Sequence, residues 1–306
     1  MNHESVLLEE AVQSLVTDPA GRYIDGTFGR GGHARKILSA LGGEGRLLAI
    51  DKDPTAIAEG QALTTNGNFE IEHGGFADLA EFAAKRDWTG KVTGILLDVG
   101  VSSPQLDDAQ RGFSFSNDGP LDMRMDPTSG ISAAQWVASA DENEITKILR
   151  DYGEERFARR MARAIILERE ESPIVTTARL AAIVSAANPS WEKGKHPATR
   201  AFQAIRIHVN EELEQLKAAL DAALEVLDKN GRLVVICFHS LEDRIVKQFI
   251  KKQQRGGDVP RHVPILDADI IRPMKAVSKA IKASVEEVDN NPRARSAIMR
   301  VAEKLI

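Results

Sequence analysis

The chain has 306 residues, past the roughly 250–300 at which one hydrophobic core stops growing, so two subdomains are expected. A formal charge of −5 excludes a polyanion-binding surface spread over the whole molecule and leaves local basic patches for that purpose. The one cysteine excludes an internal disulfide and a multi-cysteine metal site, and its place in the apolar run RLVVICF makes Cys237 a packing residue suited to a reducing compartment.

In chain order, four strand-like runs alternate with helix-like ones through the first third. They are RYIDGT at 22–27, GRLLAIDKD at 45–53, FEIEHGG at 69–75 and KVTGILLDV at 91–99, separated by HARKILSAL, PTAIAEGQAL and FADLAEFAAKR. Pro54 suits a first helical turn. This alternation predicts an α/β fold with a doubly wound, Rossmann-like parallel sheet. From Gly112 to Gly130 the chain is rich in Gly, Pro, Ser and Asp, and onward to about residue 190 it reads helical with no convincing strand. A helical pattern then runs from about His196 to Leu227, and GRLVVICFH at 231–239 predicts a fifth strand. A helix begins near Ser240, the stretch from Gly256 to Asn291 is irregular and charged, and ARSAIMRVAE at 294–303 predicts a final edge strand. The expected organisation is therefore one α/β domain in two parts, 1–108 and 199–306, interrupted by an inserted helical subdomain at 109–198. No stretch approaches the ~20 apolar residues of a membrane helix, and MNHESVLLEE lacks the basic start and apolar run of a signal peptide, so a cytoplasmic protein with no membrane partner is expected.

The stretch YIDGTFGRGGH, at the end of the first strand, carries the first chemical signal. Ligands of open α/β sheets sit outside the carboxyl ends of the strands, where a glycine turn lets backbone amides come close. The glycines at 26, 29, 31 and 32 do not follow G-x-G-x-x-G, and a mere tight turn explains them equally well by themselves. Asp51 ends the second strand, where a carboxylate can accept hydrogen bonds from both hydroxyls of a ribose, as any adenosine cofactor requires. A dinucleotide would bring its pyrophosphate into this loop, whereas S-adenosylmethionine brings an ammonium and a sulfonium. Asp25, Asp51 and Asp98, each ending a strand, favour the cationic ligand, though each alone also suits a turn or cap.

After the fourth strand, ILLDVGVSSPQLDD joins Asp98 and Gly100 to the polar loop Ser102-Ser103-Pro104-Gln105. Enzymes that methylate exocyclic base amines have an acidic or polar residue followed by Pro-Pro-aromatic here, and Ser103-Pro104-Gln105 resembles that motif without its second proline and aromatic. One family resembles nearly the whole chain, the bacterial 16S rRNA cytosine-N(4)-methyltransferases also known as MraW. The similarity rests on HESVLLEEAV, YIDGTFGRGGH, LLAIDKDP, GILLDVGVSSPQLDDAQRGFSF, DGPLDMRMD, YGEERFARRMARAI, KHPATRAFQAIRI, CFHSLEDRIVK and NPRARSAIMR, with looser matches at Gly75, 187–195 and 256–290.

That resemblance implies a class I methyltransferase fold with an inserted domain for RNA recognition. It also implies methylation, with S-adenosylmethionine, of one cytidine amine in the decoding region of 16S rRNA in the small ribosomal subunit. Carried over position by position, the cofactor contacts fall on Gly31, Gly32, His33, Asp51, Phe76, Asp98 and Gln105. Because cytosine's conjugated amine is a poor nucleophile, an acceptor must hold its hydrogens while the lone pair turns toward the methyl group, and Asp98, Ser102 and Ser103 are the candidates. His33 is expected to shape the cofactor loop. Phe113 or Phe115 can either stack on an extruded base or anchor the inserted domain.

In EERFARRMARAI, Arg156, Arg159, Arg160 and Arg163 fall on one helical face opposite Phe157, Met161, Ala164 and Ile165, a pattern that suits RNA phosphates or a solvated face. In FHSLEDR, Ser240 and Asp243 resemble a capping box, and His239 ends the fifth strand where a target base can be faced. His196, Thr199 and Arg200 in KHPATR suit either a structural or an RNA-docking role. No histidine or acid spacing resembles a metal site, and none is expected. Two other classes compete: a nicotinamide oxidoreductase on the same sheet, and a ribosome-binding factor whose cofactor pocket has lost its activity. The first does not explain the Ser-Ser-Pro-Gln loop, and the second is at odds with the complete set of carried-over positions. No obligatory protein partner is evident, and oligomeric state is left open.

Overall fold

The computed structural model describes residues 5–63, 67–190, 194, 196–257 and 270–306. The chain divides into two compact units, one made of 1–100 with 213–306, the other of 101–212. The junctions lie outside the expected 108/109 and 198/199. One reason is a helix at Ala198–Val209, whose Ala198, Ala201, Phe202, Ala204 and Ile205 belong to the second unit's core.

The first unit is a layered α/β sheet. In chain order it contains α1 (Leu8–Leu15), β1 (Arg22–Asp25), α2 (Gly32–Ala40), β2 (Arg46–Asp51), α3 (Pro54–Gln61), β3 (Phe69–His73), α4 (Leu79–Ala84) and β4 (Val92–Asp98). Strands β1 to β4 pair in parallel, in the spatial order β3-β2-β1-β4. Their side chains alternate between two cores, as a period of two demands. Leu48, Ile50, Ile95 and Leu97 join one core, while Leu47, Ala49 and Leu96 join the other. Each of the leucine and isoleucine side chains, fully buried, contributes about 1.5–3 kcal/mol of transfer free energy. Local chemistry sets the helix starts: Asp53 accepts the Thr55 N–H at 3.0 Å, with Pro54 opening α3.

The second unit is helical, with α5 (Ser103–Asp107), α6 (Ala133–Ser139), α7 (Glu142–Asp151), α8 (Ala158–Glu171), α9 (Thr177–Ala187) and α10 (Ala198–Val209) around one core that includes Leu121, Trp136, Leu149, Met161 and Leu180. Among the described residues it has no strand beyond an isolated bridge between Pro120 and Thr176. Ser132, Asp141 and Thr176 accept the N–H groups of Gln135, Glu144 and Arg179, starting α6, α7 and α9. Phe113 is buried beneath the Arg111 guanidinium. Phe115 packs edge-on to Phe202, lies 4.5 Å from the His196 ring and packs against the helical core.

The arginine face differs from the sequence expectation. Glu154 takes a left-handed conformation (φ 49°) and the buried Glu155 carboxylate accepts the Phe157 N–H, so α8 starts only at Ala158. Arg156 therefore lies before the helix, its guanidinium over the Phe157 ring, while Arg159, Arg160 and Arg163 form the exposed face.

The expected long helix from His196 to Leu227 is two, α10 and α11 (Glu212–Val226), broken where Asn210 bonds to the Met123 carbonyl and the Met125 N–H and Glu211 turns left-handed (φ 53°). The sheet resumes with β5 (Leu227–Cys237), followed by α12 (Ser240–Gln254), β6 (Met274–Ala276), β7 (Ile281–Lys282), α13 (Val285–Asn290) and β8 (Ile298–Lys304). β5 pairs in parallel with β4, and β8 pairs antiparallel with β5. β8 is not the edge strand that its sequence suggested, because β6 and β7 both pair with its far side. Among the described residues no helix is long and apolar enough to cross a membrane, and no group of three or more His, Cys, Asp or Glu is placed to hold a metal ion.

Candidate active site

Six of the nine residues singled out by sequence lie in the first unit, around the carboxyl ends of β1, β2 and β4. Gly31 caps α2 in the left-handed region (φ 68°), where a side chain would be strained and would run into the Phe28 ring. Gly32 opens the helix and His33 is buried in its first turn. A Cβ on Gly26 would stand 2.6 Å from Leu97 and 3.2 Å from Phe76, so the bare backbone there brings the β1 turn against the Phe76 side chain.

Asp51 organises the loop. Its Oδ2 accepts the Gly29 N–H at 2.7 Å and its Oδ1 the Asp53 N–H at 2.8 Å, and the Lys52 N–H also acts on the carboxylate. Thr27 links the other two strands: its hydroxyl accepts the Asp98 N–H at 2.7 Å, and its own N–H donates to Asp25 Oδ1 at 3.1 Å. Sequence gave no sign of that bridge, since a threonine in a turn is unremarkable.

The electrostatics are unusual. Asp25 is fully buried and its Oδ2 has no hydrogen-bond partner among the described residues, nor has Asp98 Oδ1. Loss of hydration is the main cause that pushes Asp25 up to about 7, with the nearby Asp51 charge adding to it. Loss of hydration likewise pushes Asp98 up to about 8, with the charges of Asp25 and Glu242 behind it. Asp51 is also raised by burial. His33, its Nε2 3.1 Å from the Val6 carbonyl, is lowered by burial to about 4, so it is neutral near pH 7 and its Nδ1 lies 3.6 Å from Asp98 Oδ2.

At the end of β5 the cap of α12 is shifted by one residue from the expected Ser240/Asp243 pair. His239 is the N-cap residue, and Glu242 Oε2 accepts the N–H groups of Phe238 at 2.8 Å and His239 at 3.3 Å. Asp243 instead pairs with Arg300 of β8 through contacts of 2.6 and 3.0 Å. Glu242 was missed because two adjacent acids, Glu242 and Asp243, sit equally well in a first helical turn.

The other three residues, Ser102, Ser103 and Gln105, belong to the second unit. Ser102 caps α5 and its N–H donates to the Oε1 of the buried Gln105 at 2.9 Å, while Ser103 and Pro104 form the first turn.

The chemistry of the first-unit residues fits S-adenosylmethionine. Two buried, unpartnered carboxylate oxygens suit cationic groups, Asp51 offers a carboxylate to hydroxyls, and Phe76 supplies an apolar ring beside the loop.

Residues 1–305 match the model of the family described as the MraW methylase family. The ribosomal RNA small subunit methyltransferase H of Chromohalobacter salexigens is 60% identical over 304 residues, which cover 99% of this chain and 92% of that one. Among solved structures, a putative rRNA-methylase from Clostridium thermocellum aligns over 100% of this chain and 99% of its own, at 10% identity and a TM-score of 0.44. An rRNA methylase from Streptococcus thermophilus aligns over 97% and 92%, at 12% identity and a TM-score of 0.42.

Proposed function

The chain belongs to the MraW methylase family, and from that membership we infer that it methylates the exocyclic N4 amine of one cytidine in the decoding, P-site region of 16S rRNA, acting on the small ribosomal subunit with S-adenosylmethionine as donor. The observation that carries the reading is that Asp25 and Asp98, at the ends of β1 and β4, each keep one buried carboxylate oxygen with no hydrogen-bond partner among the described residues. A pyrophosphate would be repelled there, whereas a sulfonium and an ammonium are attracted.

When bound, S-adenosylmethionine supplies an electrophilic methyl group. The residues of this chain hold it and prepare the acceptor. Asp51 takes the ribose hydroxyls on its carboxylate, Phe76 covers the adenine, and Gly31, Gly32 and His33 shape the loop around the methionine portion. Asp98 faces the cationic end, and Gln105 contributes a further cofactor contact. Asp98, with Ser102 and Ser103 shortly after it in the chain, holds the hydrogens of the cytosine amine so that the nitrogen lone pair leaves conjugation with the ring. Arg159, Arg160 and Arg163 meet RNA phosphates despite the acidic total charge.

The decisive test is nucleoside mass spectrometry of 16S rRNA in small subunits from a strain lacking the enzyme, incubated with the protein and S-adenosylmethionine. A new N4-methylated cytidine, absent with a folded Asp98→Ala variant, is the expected result. Cofactor binding without methylation of subunits, precursor subunits or free rRNA would replace this reading with that of a binding factor.

A further inference from the structure

The carboxyl end of β5 holds two titratable groups for which the reading above has no use. Glu242 is fully buried, and capping α12 occupies only its Oε2. Its Oε1 lies 2.8 Å from His239 Nε2, close but outside the geometry of a well-formed hydrogen bond. His239 is 11% exposed, and its Nδ1 is buried with no hydrogen-bond partner among the described residues. A neutral Gln would cap the helix as well as Glu242 does, without burying a charge. The surplus carboxylate oxygen and the orphan ring nitrogen therefore call for a role beyond capping.

Their position is next to the chemistry. Asp98 of β4 is in register with Ile236 of β5, and the Val99 N–H donates to the Ile236 carbonyl at 2.9 Å. The charge of Glu242 is one of those acting on Asp98. The charged and titratable groups around the pair are Asp98 on β4, Cys237 on β5, Asp243 on α12 and Arg300 on β8, the last two pairing with each other. A carboxylate against one imidazole nitrogen favours the tautomer with its proton there and leaves the other nitrogen a base, the logic by which a third group orients a catalytic histidine.

We propose that Glu242 keeps the proton of His239 on Nε2, so that Nδ1 is the base that takes the proton shed by the newly methylated cytosine amine. This rests on the N4-methylation reading. The amine nitrogen forms its bond to the methyl carbon as the carbon–sulfur bond breaks, the electron pair of that bond staying on sulfur. The nitrogen then bears a positive charge and gives one proton to Nδ1. The resulting imidazolium is stabilised by the Glu242 carboxylate until product leaves and the proton passes to water. Asp98 is the competing acceptor.

The test compares the parent with Glu242→Gln and His239→Ala in three measurements: kcat for methylation of small subunits at saturating S-adenosylmethionine, cofactor Kd by calorimetry, and the histidine tautomer by 15N NMR. Glu242→Gln keeps the cap through its carbonyl oxygen but presents an NH2 group to Nε2, which drives the ring proton to Nδ1. The expected result is an Nε2–H tautomer in the parent and Nδ1–H in Glu242→Gln. With it go a fall in kcat of at least about tenfold in both variants, an unchanged cofactor Kd, and partial rescue of His239→Ala by added imidazole. An Nδ1–H tautomer in the parent, or kcat within twofold of the parent in Glu242→Gln, overturns the proposal and leaves Asp98 as the acceptor. Losses confined to cofactor Kd overturn it as well, making His239 a pocket wall. If the parent makes no N4-methylcytidine, the functional reading fails, while the tautomer measurement still decides whether the Glu242–His239 pair exists as described.

Discussion

Both units bury carboxyl groups, and they treat them in opposite ways. In the helical unit Glu212 is 3% exposed but receives two hydrogen bonds from the Arg206 guanidinium, at 2.8 and 2.9 Å. Asp122 receives two from Arg124, which hold its carboxyl below the usual range against the opposing effect of burial. In the sheet unit Asp25 and Asp98 each keep an oxygen without a partner among the described residues, and lost hydration, with like charge behind it, pushes them up to about 7 and about 8. A folded chain rarely leaves a buried carboxylate unsatisfied without a ligand in view. Paired acids hold the fold together, and the unpaired ones are the candidates for meeting a ligand.

Replacing an unpaired acid should cost chemistry, and replacing the partner of a paired one should cost stability. The largest effect is expected from Asp98→Ala: methylation of small subunits should fall by at least about a hundredfold while circular dichroism stays that of the parent. An unfolded variant would remove Asp98 from the ligand-binding side of the contrast. In the helical unit Arg206→Ala leaves Glu212 buried and unpaired, so denaturant unfolding should show a loss of about 3–5 kcal/mol. Replacing both residues by Met should recover most of it.

Gly31→Val forces a branched side chain into the left-handed region against Phe28 and should cost about 1–2 kcal/mol together with measurable cofactor affinity, read by thermal melting and calorimetry. Asp25→Asn probes the strain directly through pH. The folded-state values of Asp25 and Asp98, about 7 and about 8, lie above the unfolded value of 3.8, so the native state binds more protons between these limits and stability is lost as pH rises from about 4 to about 8. Asp25→Asn should flatten that decline in Tm, with the difference from the parent largest near pH 8 and absent near pH 4. Smallest in stability terms, within about 0.5 kcal/mol, is Arg159→Glu with Arg163→Glu. The pair should weaken subunit binding and reduce its salt dependence without altering cofactor Kd.

The sheet and its acids were legible because period-two apolar runs ending in Asp25, Asp51 and Asp98 are local signals. What escaped depends on partners distant in sequence. The break between α10 and α11 needs Asn210 to reach Met123 and Met125. The late start of α8 depends on the left-handed Glu154 and on the Glu155 side chain turning back to the Phe157 N–H. β8 looked like an edge because β6 and β7, which cover its far side, are short segments of unremarkable composition. The choice of Glu242 over Asp243 as the capping acid was settled by Arg300, which claims Asp243. Of the site, what was readable is position: Asp25, Asp51 and Asp98 end β1, β2 and β4, and the glycine turn opens α2, as the local pattern indicated. The Thr27 bridge and the His239–Glu242 contact were not, since each joins residues whose types alone suit turns and caps.

The pairing of Asp98 with Ile236 also bears on how the protein is made. The helical unit is one unbroken stretch of chain and has all its partners once residue 212 has left the ribosome. The sheet is divided by it, so β4 must wait, one edge bare, until β5 has been synthesised, and β5 must wait in turn for β8. During synthesis the exposed edges of β4 and then β5 are the places where a nascent chain can pair with the wrong neighbour. A stalled or truncated product ending before Ile298 would carry a finished helical unit beside an unfinished sheet, and chaperone demand should follow the sheet.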